Sequence, residues 1–104
     1  MVVTTAAVTR PALLKEIAER FGNQALVAGI DYRTEKDGAR VWIRCGTERT
    51  DFDPVTHAKA LAAIGAGEIL LNSIDRDGTM SGYDLAMAKA VADAVDIPVI
   101  ACGG

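Results

Sequence analysis

The carboxylates and glycines of residues 68–84 have the types and spacing that phosphate chemistry requires. An apolar run is followed at once by Asp75, Asp77 and Gly78, and a helical pattern begins after this loop. Backbone N–H groups in a glycine-bearing turn that leads into a helix can approach a phosphate oxygen closely. We therefore predict an anion site at Asp77 and Gly78, with a simple turn as the alternative.

Asp31 is the second candidate for chemistry, because it follows the apolar residues Ala28–Ile30 at the end of a predicted strand. Proteins of the α/β class place their catalytic groups at the carboxyl ends of parallel strands. Proton transfer there would need a second group that gives a proton while Asp31 takes one. A solvated aspartate, or a cap for the following turn, is the alternative that the spacing leaves open.

Apolar runs alternate with amphipathic segments along the whole chain, which predicts an α/β fold of parallel βα repeats in one domain, residues 1–104. We expect strands at 25–30, 41–43, 69–74 and 98–101, after a strand end at residues 2–3. We expect helices at 10–21, 53–64 and 84–95.

Local signals mark the ends of several of these elements. Thr9 with Pro11 suits the start of the first helix, and Gly22 suits its end. Asp37 and Gly38 form a hairpin signal. The hairpin would follow Asp31 directly, so its strands would stand next to the candidate carboxylate.

Composition narrows the class of protein. The net charge of −3 gives no support to a nucleic-acid or membrane-surface partner. No apolar run approaches the roughly 18 residues of a membrane span. Cys45 and Cys102 lack metal-ligand spacing, so we expect reduced thiols, a cytoplasmic protein, and neither metal nor cofactor.

The segment GAGEILLNSIDRDGT and the SGYD that closely follows it, within residues 65–84, resemble the cyclase subunit (HisF type) of imidazole glycerol phosphate synthase. The resemblance continues through 24–33 and 97–104, and more weakly through 4–21. It implies part of a (β/α)8 TIM barrel, from the end of the fourth strand to the seventh. Such a barrel needs about 250 residues, and this chain has 104, so a half-barrel-like portion is expected.

The resemblance also implies a reaction, the joining of ammonia to a phosphoribulosyl aminoimidazole carboxamide ribonucleotide to give imidazole glycerol phosphate. Asp31 matches the family's catalytic aspartate on the fifth strand, described as a general acid or base in ring closure. The family's partner aspartate lies on the first strand and has no match here. We therefore expect little or no activity from this chain alone.

Binding of the substrate's phosphates is implied at two places. Asp77, Gly78 and Gly104 match the family's loops around one phosphate, and Thr4 and Thr5 match its other phosphate site. Thr4 departs from the family, which usually has asparagine there. A hydroxyl offers a phosphate less donor capacity than an amide does, so affinity at that end should be lower.

Three further positions carry implied roles. Asn72 stands where the family commonly has a small polar residue facing the substrate. Glu68 matches the gate glutamate at the amino end of the barrel, where ammonia enters from a glutaminase partner. His57, the single histidine, stands where the family often has tryptophan, and we interpret it as a surface or packing residue.

A second functional class follows from the two faces of the predicted sheet. Ile69 and Leu71 lie on one face, and Leu70 and Ile100 lie on the other, so both faces carry apolar residues. Helices of one copy can cover only one face. The alternative prediction is a non-catalytic homodimer, a half-barrel module that keeps at most a phosphate site.

Overall fold

The computed structural model describes residues 2–22, 26–36, 38–74 and 85–102. The strands are β1 (Val2–Val3), β2 (Val27–Glu35), β3 (Gly38–Ile43), β4 (Glu48–Arg49), β5 (Glu68–Ser73) and β6 (Val99–Cys102). The helices are α1 (Thr5–Thr9), α2 (Pro11–Phe21), α3 (Pro54–Ile64) and α4 (Leu85–Ala94). This alternation of strands and helices confirms the predicted α/β class.

All six strands belong to one sheet in the order β4-β3-β2-β5-β6, with β1 also paired to β2. The pairs β1–β2, β2–β5 and β5–β6 are parallel, whereas β3 pairs antiparallel with both β2 and β4. β1 pairs with Val27 and Ala28, and β3 pairs with residues 31–35 of the same strand. β1 and β3 therefore pair with the same edge of β2, β1 near its start and β3 near its end.

The predicted end of the second strand at Ile30 is wrong, because β2 continues to Glu35. The extension is held by the antiparallel ladder with β3, in which Asp31 is opposite Trp42 and Glu35 is opposite Gly38. Asp31 therefore lies inside a strand. It still stands near the carboxyl end of the parallel part, since β2 and β5 pair only as far as Tyr32.

The start of the first long helix also differs from the prediction. Thr9 ends α1, where its hydroxyl donates to the carbonyl oxygen of Thr5 at 3.1 Å. Arg10 is the N-cap residue of α2 and makes no side-chain capping bond. Pro11 opens α2 as expected, and Gly22 ends it with a φ of 82°, in the left-handed region that favours glycine.

The second long helix, α3, forms as its local signals predict. The Asp53 carboxylate accepts a hydrogen bond from the backbone N–H of Thr56 at 3.0 Å, which satisfies one of the unpaired donors of the first turn. Gly65 ends the helix with a φ of 122°. A Cβ at this glycine would lie 2.7 Å from the Cβ of Ala18, so α2 and α3 approach closely there.

The core lies between the helices and one face of the sheet. Side chains of β2, β3 and β5 alternate so that every second one is buried against the helices: Ala28, Ile30, Tyr32, Ala39, Val41, Ile43, Ile69 and Leu71. Leu14, Leu61 and Val91 supply the helical side of the same cluster. On the opposite face Ile100 is 46% exposed, as expected for a sheet covered by helices on one side only.

Candidate functional site

The face of the sheet away from the helices carries three of the five predicted site residues that the structure describes, namely Asp31, Glu68 and Asn72. We call it the open face; its residues are Val27, Gly29, Asp31, Arg33, Arg40, Trp42, Glu68, Leu70, Asn72, Ile100 and Cys102. Their neighbours along each strand point into the core, because successive side chains of a strand alternate between faces. Apart from Glu68, the polar members of β2 and β5 on this face lie toward the carboxyl ends of those strands.

Four strands place one residue each in a single row across this face. Trp42 is opposite Asp31, Asp31 is opposite Asn72, and Asn72 is opposite Cys102. We call these four residues the Asp31 row. Pairing between β2 and β5 thus brings together two residues that are far apart in the sequence.

A direct contact links the two central members of the row. The side-chain amide of Asn72 donates to Oδ1 of Asp31 at 3.4 Å, a long and therefore weak hydrogen bond. Both residues are half-buried, so a ligand on the open face can reach them. The arrangement presents a carboxylate, oriented by a neutral amide, to whatever binds above it.

Thr4 and Thr5 enter the site from the chain that follows β1. A Cβ on Gly29 would lie only 2.5 Å from the hydroxyl oxygen of Thr4, so this threonine sits directly against β2, two residues before Asp31. The hydroxyl oxygen of Thr5 accepts the backbone N–H of Arg44 at 2.9 Å. Accepting this bond leaves the Thr5 hydroxyl hydrogen as the donor that a phosphate oxygen would use.

The hairpin adds a group that sequence reasoning missed. The guanidinium carbon of Arg33 lies 4.8 Å from the centroid of the Trp42 ring. Trp42 Nε1 donates to Glu35 at 3.3 Å, and Arg49 Nε donates to both oxygens of that carboxylate at 2.8 and 2.9 Å. Glu48 and Arg49 form the short strand β4. The available signal was a single tryptophan between the core residues Val41 and Ile43.

The hydrogen bond between Arg49 and Glu35 shifts the pKa of both groups. Hydrogen bonding from Arg49 holds the pKa of the Glu35 carboxyl below its usual value, and the same bond raises the pKa of Arg49. Both groups are solvent-exposed, so the pair contributes orientation more than stability. Arg49 also contacts Asp51 through Nη1 at 3.0 Å.

Glu68 lies on the open face at the end opposite the Asp31 row. It is paired in register with Val27 and precedes Asn72 by four residues on β5. At about 3.3 Å per residue in a parallel strand, the two side chains start about 13 Å apart. The structure thus separates the predicted gate residue from the predicted catalytic end.

Some predicted residues cannot be placed. Asp77, Gly78 and Gly104 lie outside the described residues, so the phosphate site assigned to them remains a prediction.

Among the described residues, no group of three or more His, Cys, Asp or Glu side chains could hold a metal ion. In the same part of the chain, no helix is long and apolar enough to span a membrane.

Two cavities lie on the helical side, away from the Asp31 row. One of about 390 Å³ borders the start of α2, and one of about 190 Å³ is lined by residues of α1, α2 and α3 together with Phe52. His57 lines the smaller cavity, is 5% exposed and stacks on Phe52 with ring centroids 5.4 Å apart. Burial lowers its pKa. His57 is therefore a packing residue, one of the two roles expected for it.

The sequence is similar to known proteins of one family. The model of a family described as "Histidine biosynthesis protein" matches residues 1–104. Imidazole glycerol phosphate synthase subunit HisF of Myxococcus xanthus (strain DK1622) is 54% identical over 102 residues, which are 98% of this chain and 40% of the relative.

Two relatives from Synechococcus sp. match the same part of a HisF subunit to a similar extent. The subunits of the same name from Synechococcus sp. strains CC9311 and CC9605 are each 52% identical over 103 residues, covering 98% of this chain and 39% and 40% of the relatives. The chain thus spans about two fifths of the length of the curated relatives it matches. The chain belongs to the histidine biosynthesis protein family, a family of TIM barrels, and its resemblance within that family is to the HisF type.

Proposed function

We propose that the protein to which this chain contributes is a cyclase that joins ammonia to a phosphoribulosyl aminoimidazole carboxamide ribonucleotide, releasing imidazole glycerol phosphate and an aminoimidazole carboxamide ribonucleotide. One observation carries the proposal: Asp31, oriented by Asn72, stands on the open face where the parallel strands of the sheet end. The 52–54% identity to subunits named HisF supports it.

Each residue then has a part in ring closure. Asp31 takes or gives a proton at the reacting nitrogen, while the Asn72 amide keeps the carboxylate directed toward the open face. Thr4 and Thr5 bind one phosphate of the long substrate, and the loops at Asp77, Gly78 and Gly104 bind the other. The two phosphates fix the substrate so that its reacting atoms lie over the row.

Ammonia would be delivered at the amino ends of the strands, the end of the sheet opposite the Asp31 row. Glu68 lies there, about 13 Å along β5 from Asn72 by the rise of a strand. A glutaminase partner that docks at the amino ends of the strands would release ammonia beside this carboxylate. Ammonia would then travel across the open face to Asp31.

This chain alone should turn over weakly, because proton transfer in ring closure needs two groups and only Asp31 matches one. General acid or base catalysis by a single group contributes about 10²–10⁴-fold. Losing the partner carboxylate should therefore lower the rate of the isolated chain by about that factor. Turnover within tenfold of a full-length relative would contradict this interpretation of Asp31.

A chimera, in which a relative supplies the rest of the barrel, tests the proposal. The chain would replace the matching two fifths of the Myxococcus xanthus relative, and the chimera would be expressed in a histidine auxotroph that lacks the cyclase. Growth is expected with the chimera and not with Asp31→Asn. Asp96→Asn, a matched change at an exposed aspartate remote from the row, should still support growth. Growth with Asp31→Asn would overturn the proposal.

A second candidate function is self-association, favoured by the exposed Ile100 and half-buried Leu70 of the open face. It is favoured also by β6, which pairs only with β5 among the described strands. Hiding about 600 Å² of apolar surface per chain, at about 25 cal/mol per Å², would stabilise a dimer by about 15 kcal/mol per chain. Association opposes this by about 4–15 kcal/mol. A homodimer that binds phosphate is therefore feasible.

Sedimentation equilibrium at micromolar concentration separates the two states. A dimer is expected for the chain, and Ile100→Asp should shift it to the monomer by placing a charge on the open face. Leu85→Asp is the matched control, because Leu85 is 75% exposed on α4, on the helical side. A single species of about 11 kDa for the unaltered chain, whose mass is 10.9 kDa, would reject self-association.

A further inference from the structure

Trp42 has a position that the core does not explain. It is the only tryptophan of the chain, and its neighbours Val41 and Ile43 point into the core with 1% exposure each. Trp42 instead projects from the open face, half-buried, at the register position next to Asp31. A large aromatic ring beside a candidate catalytic carboxylate is placed to touch whatever the carboxylate acts on.

The indole is also held in one orientation. Arg33 lies over the ring at 4.8 Å, and the ring N–H donates to Glu35 at 3.3 Å. Glu35 is itself fixed by two hydrogen bonds from Arg49, at 2.8 and 2.9 Å. Arg33 donates in addition to the carbonyl oxygen of Gly46 at 3.3 Å, which ties its guanidinium to the turn between β3 and β4. An aromatic wall that is already ordered loses little entropy when a ligand binds.

The chemistry of this wall selects a ligand class. An indole ring offers a flat surface on which heterocycles stack, and a guanidinium favours anionic groups such as phosphate. The adjoining Asp31 and Asn72 can exchange hydrogen bonds with amino and carboxamide substituents on such a ring. A planar, phosphorylated heterocycle meets all three requirements.

We propose that Trp42 and Arg33 form a ligand-contacting wall of the Asp31 row and determine its preference for a planar phosphorylated heterocycle. The inference rests on the proposed function for the identity of the row, and it adds two specificity-determining residues from the hairpin. Trp42 supplies the stacking surface on the ring face that Arg33 does not cover. Arg33 fixes the indole and attracts the ligand's phosphate.

The tryptophan itself reports on binding, because its fluorescence changes when a heterocycle stacks on it. The 104-residue chain is titrated with aminoimidazole carboxamide ribonucleotide. Ribose 5-phosphate, which lacks the ring, and the corresponding nucleoside, which lacks the phosphate, serve as control ligands. We expect saturable quenching by the ribonucleotide and at least tenfold weaker binding of each control.

Two charge-matched variants locate the contact. Arg33→Gln should weaken ribonucleotide binding by about tenfold, whereas Arg20→Gln on exposed α2 should leave it unchanged. Calorimetry on Trp42→Phe and Trp42→Ala extends the test to variants without a tryptophan. Phe retains a stacking ring and should bind the ribonucleotide more tightly than Ala. Circular dichroism confirms that each variant is folded.

The outcomes distinguish this inference from the proposed function. Asp31→Asn should weaken ribonucleotide binding less than Arg33→Gln does, because an amide can still hydrogen-bond the ring substituents while Trp42 holds the ring. No saturable quenching, equal binding of ribose 5-phosphate, or unchanged affinity in Arg33→Gln would overturn the inference. A chimera that grows while the folded chain shows no quenching would leave Asp31 catalytic and remove Trp42 and Arg33 from ligand binding.

Discussion

Gly29→Ala tests where Thr4 lies, and with it the placement of the predicted phosphate residues beside the Asp31 strand. The added Cβ would meet the Thr4 hydroxyl oxygen at 2.5 Å, whereas the next atoms, Val3 O and Thr4 Cβ, are at 3.5 and 3.6 Å. The last two are ordinary contact distances. The clash is therefore with one oxygen atom, and removing that atom should relieve it.

The expected magnitudes follow from this geometry. Overpacking of this kind typically destabilises a protein by about 1–3 kcal/mol. Replacing a strand glycine by alanine contributes about 0.5–1 kcal/mol in the opposite direction, through the entropy of the unfolded chain. Gly29→Ala should then lower the free energy of unfolding by about 0.5–2 kcal/mol in the unaltered chain. In a Thr4→Ala background the same substitution should raise the free energy of unfolding by about 0.5–1 kcal/mol.

A double-mutant cycle measures the difference. Urea unfolding, followed by circular dichroism, gives the free energy of unfolding for the chain, each single variant and the double variant. A coupling energy of about 1–3 kcal/mol is expected, well above the roughly 0.5 kcal/mol within which separated sites are additive. Additive changes would show that Thr4 does not face Gly29, and the arrangement of Thr4 beside Asp31 would be wrong.

Burial lowers the pKa of His57, so the unfolded chain binds a proton more readily than the folded chain. Stability should therefore fall as the pH drops below about 6.5. Urea midpoints between about pH 5 and 8 should show this decline in the chain and less of it in His57→Phe. Asp53→Ala removes the cap on Thr56 and should lower the free energy of unfolding by about 1 kcal/mol, measured in the same way. Gly78→Pro should weaken phosphate binding, measured by calorimetry on a folded variant, because proline removes a backbone donor from the predicted anion site.

Each of these three expectations can be contradicted. An equal decline in His57→Phe at acid pH would assign the pH dependence to another group. A stability change below about 0.3 kcal/mol in Asp53→Ala would mean that the α3 cap is unimportant to the fold, against the usual value for such caps. If Gly78→Pro leaves the phosphate affinity unchanged, the anion site does not lie at Gly78.

The elements that could be predicted from the sequence are those defined by local signals. Asp53, Pro54 and Gly65 mark the ends of α3 within a few residues of chain, and β3 begins at Gly38, the second residue of the predicted hairpin signal. Apolar runs likewise placed β5 and β6. Such signals act between neighbouring residues, so no knowledge of the tertiary structure was needed.

The elements that were missed depend on distant contacts. α1 has only five residues, too few for a stable isolated helix, and its first residue is held by Arg44 from the hairpin. β4 has two residues and exists through its pairing with β3. The continuation of β2 past Asp31 likewise depends on its partner strand.

In the candidate site, too, some features follow from local signals and others depend on distant contacts. Asp31 could be identified from its position at the carboxyl end of an apolar run, and Asn72 from the resemblance to the HisF type. Their hydrogen bond could not, because it depends on the register between β2 and β5, which tertiary packing sets. Trp42 was overlooked for the same reason, since only the antiparallel register places it opposite Asp31.

The most direct test of the central claim is the cyclase turnover number of the chimera with the Myxococcus xanthus relative, measured with excess ammonium in place of a glutaminase. Changing Asp31 to Asn keeps the size of the side chain and its contact with Asn72 but removes the proton-transferring group. The account predicts a turnover number about 10²–10⁴-fold lower for this variant than for the unaltered chimera. A turnover number within tenfold of the unaltered chimera would show that Asp31 is not the group that transfers the proton.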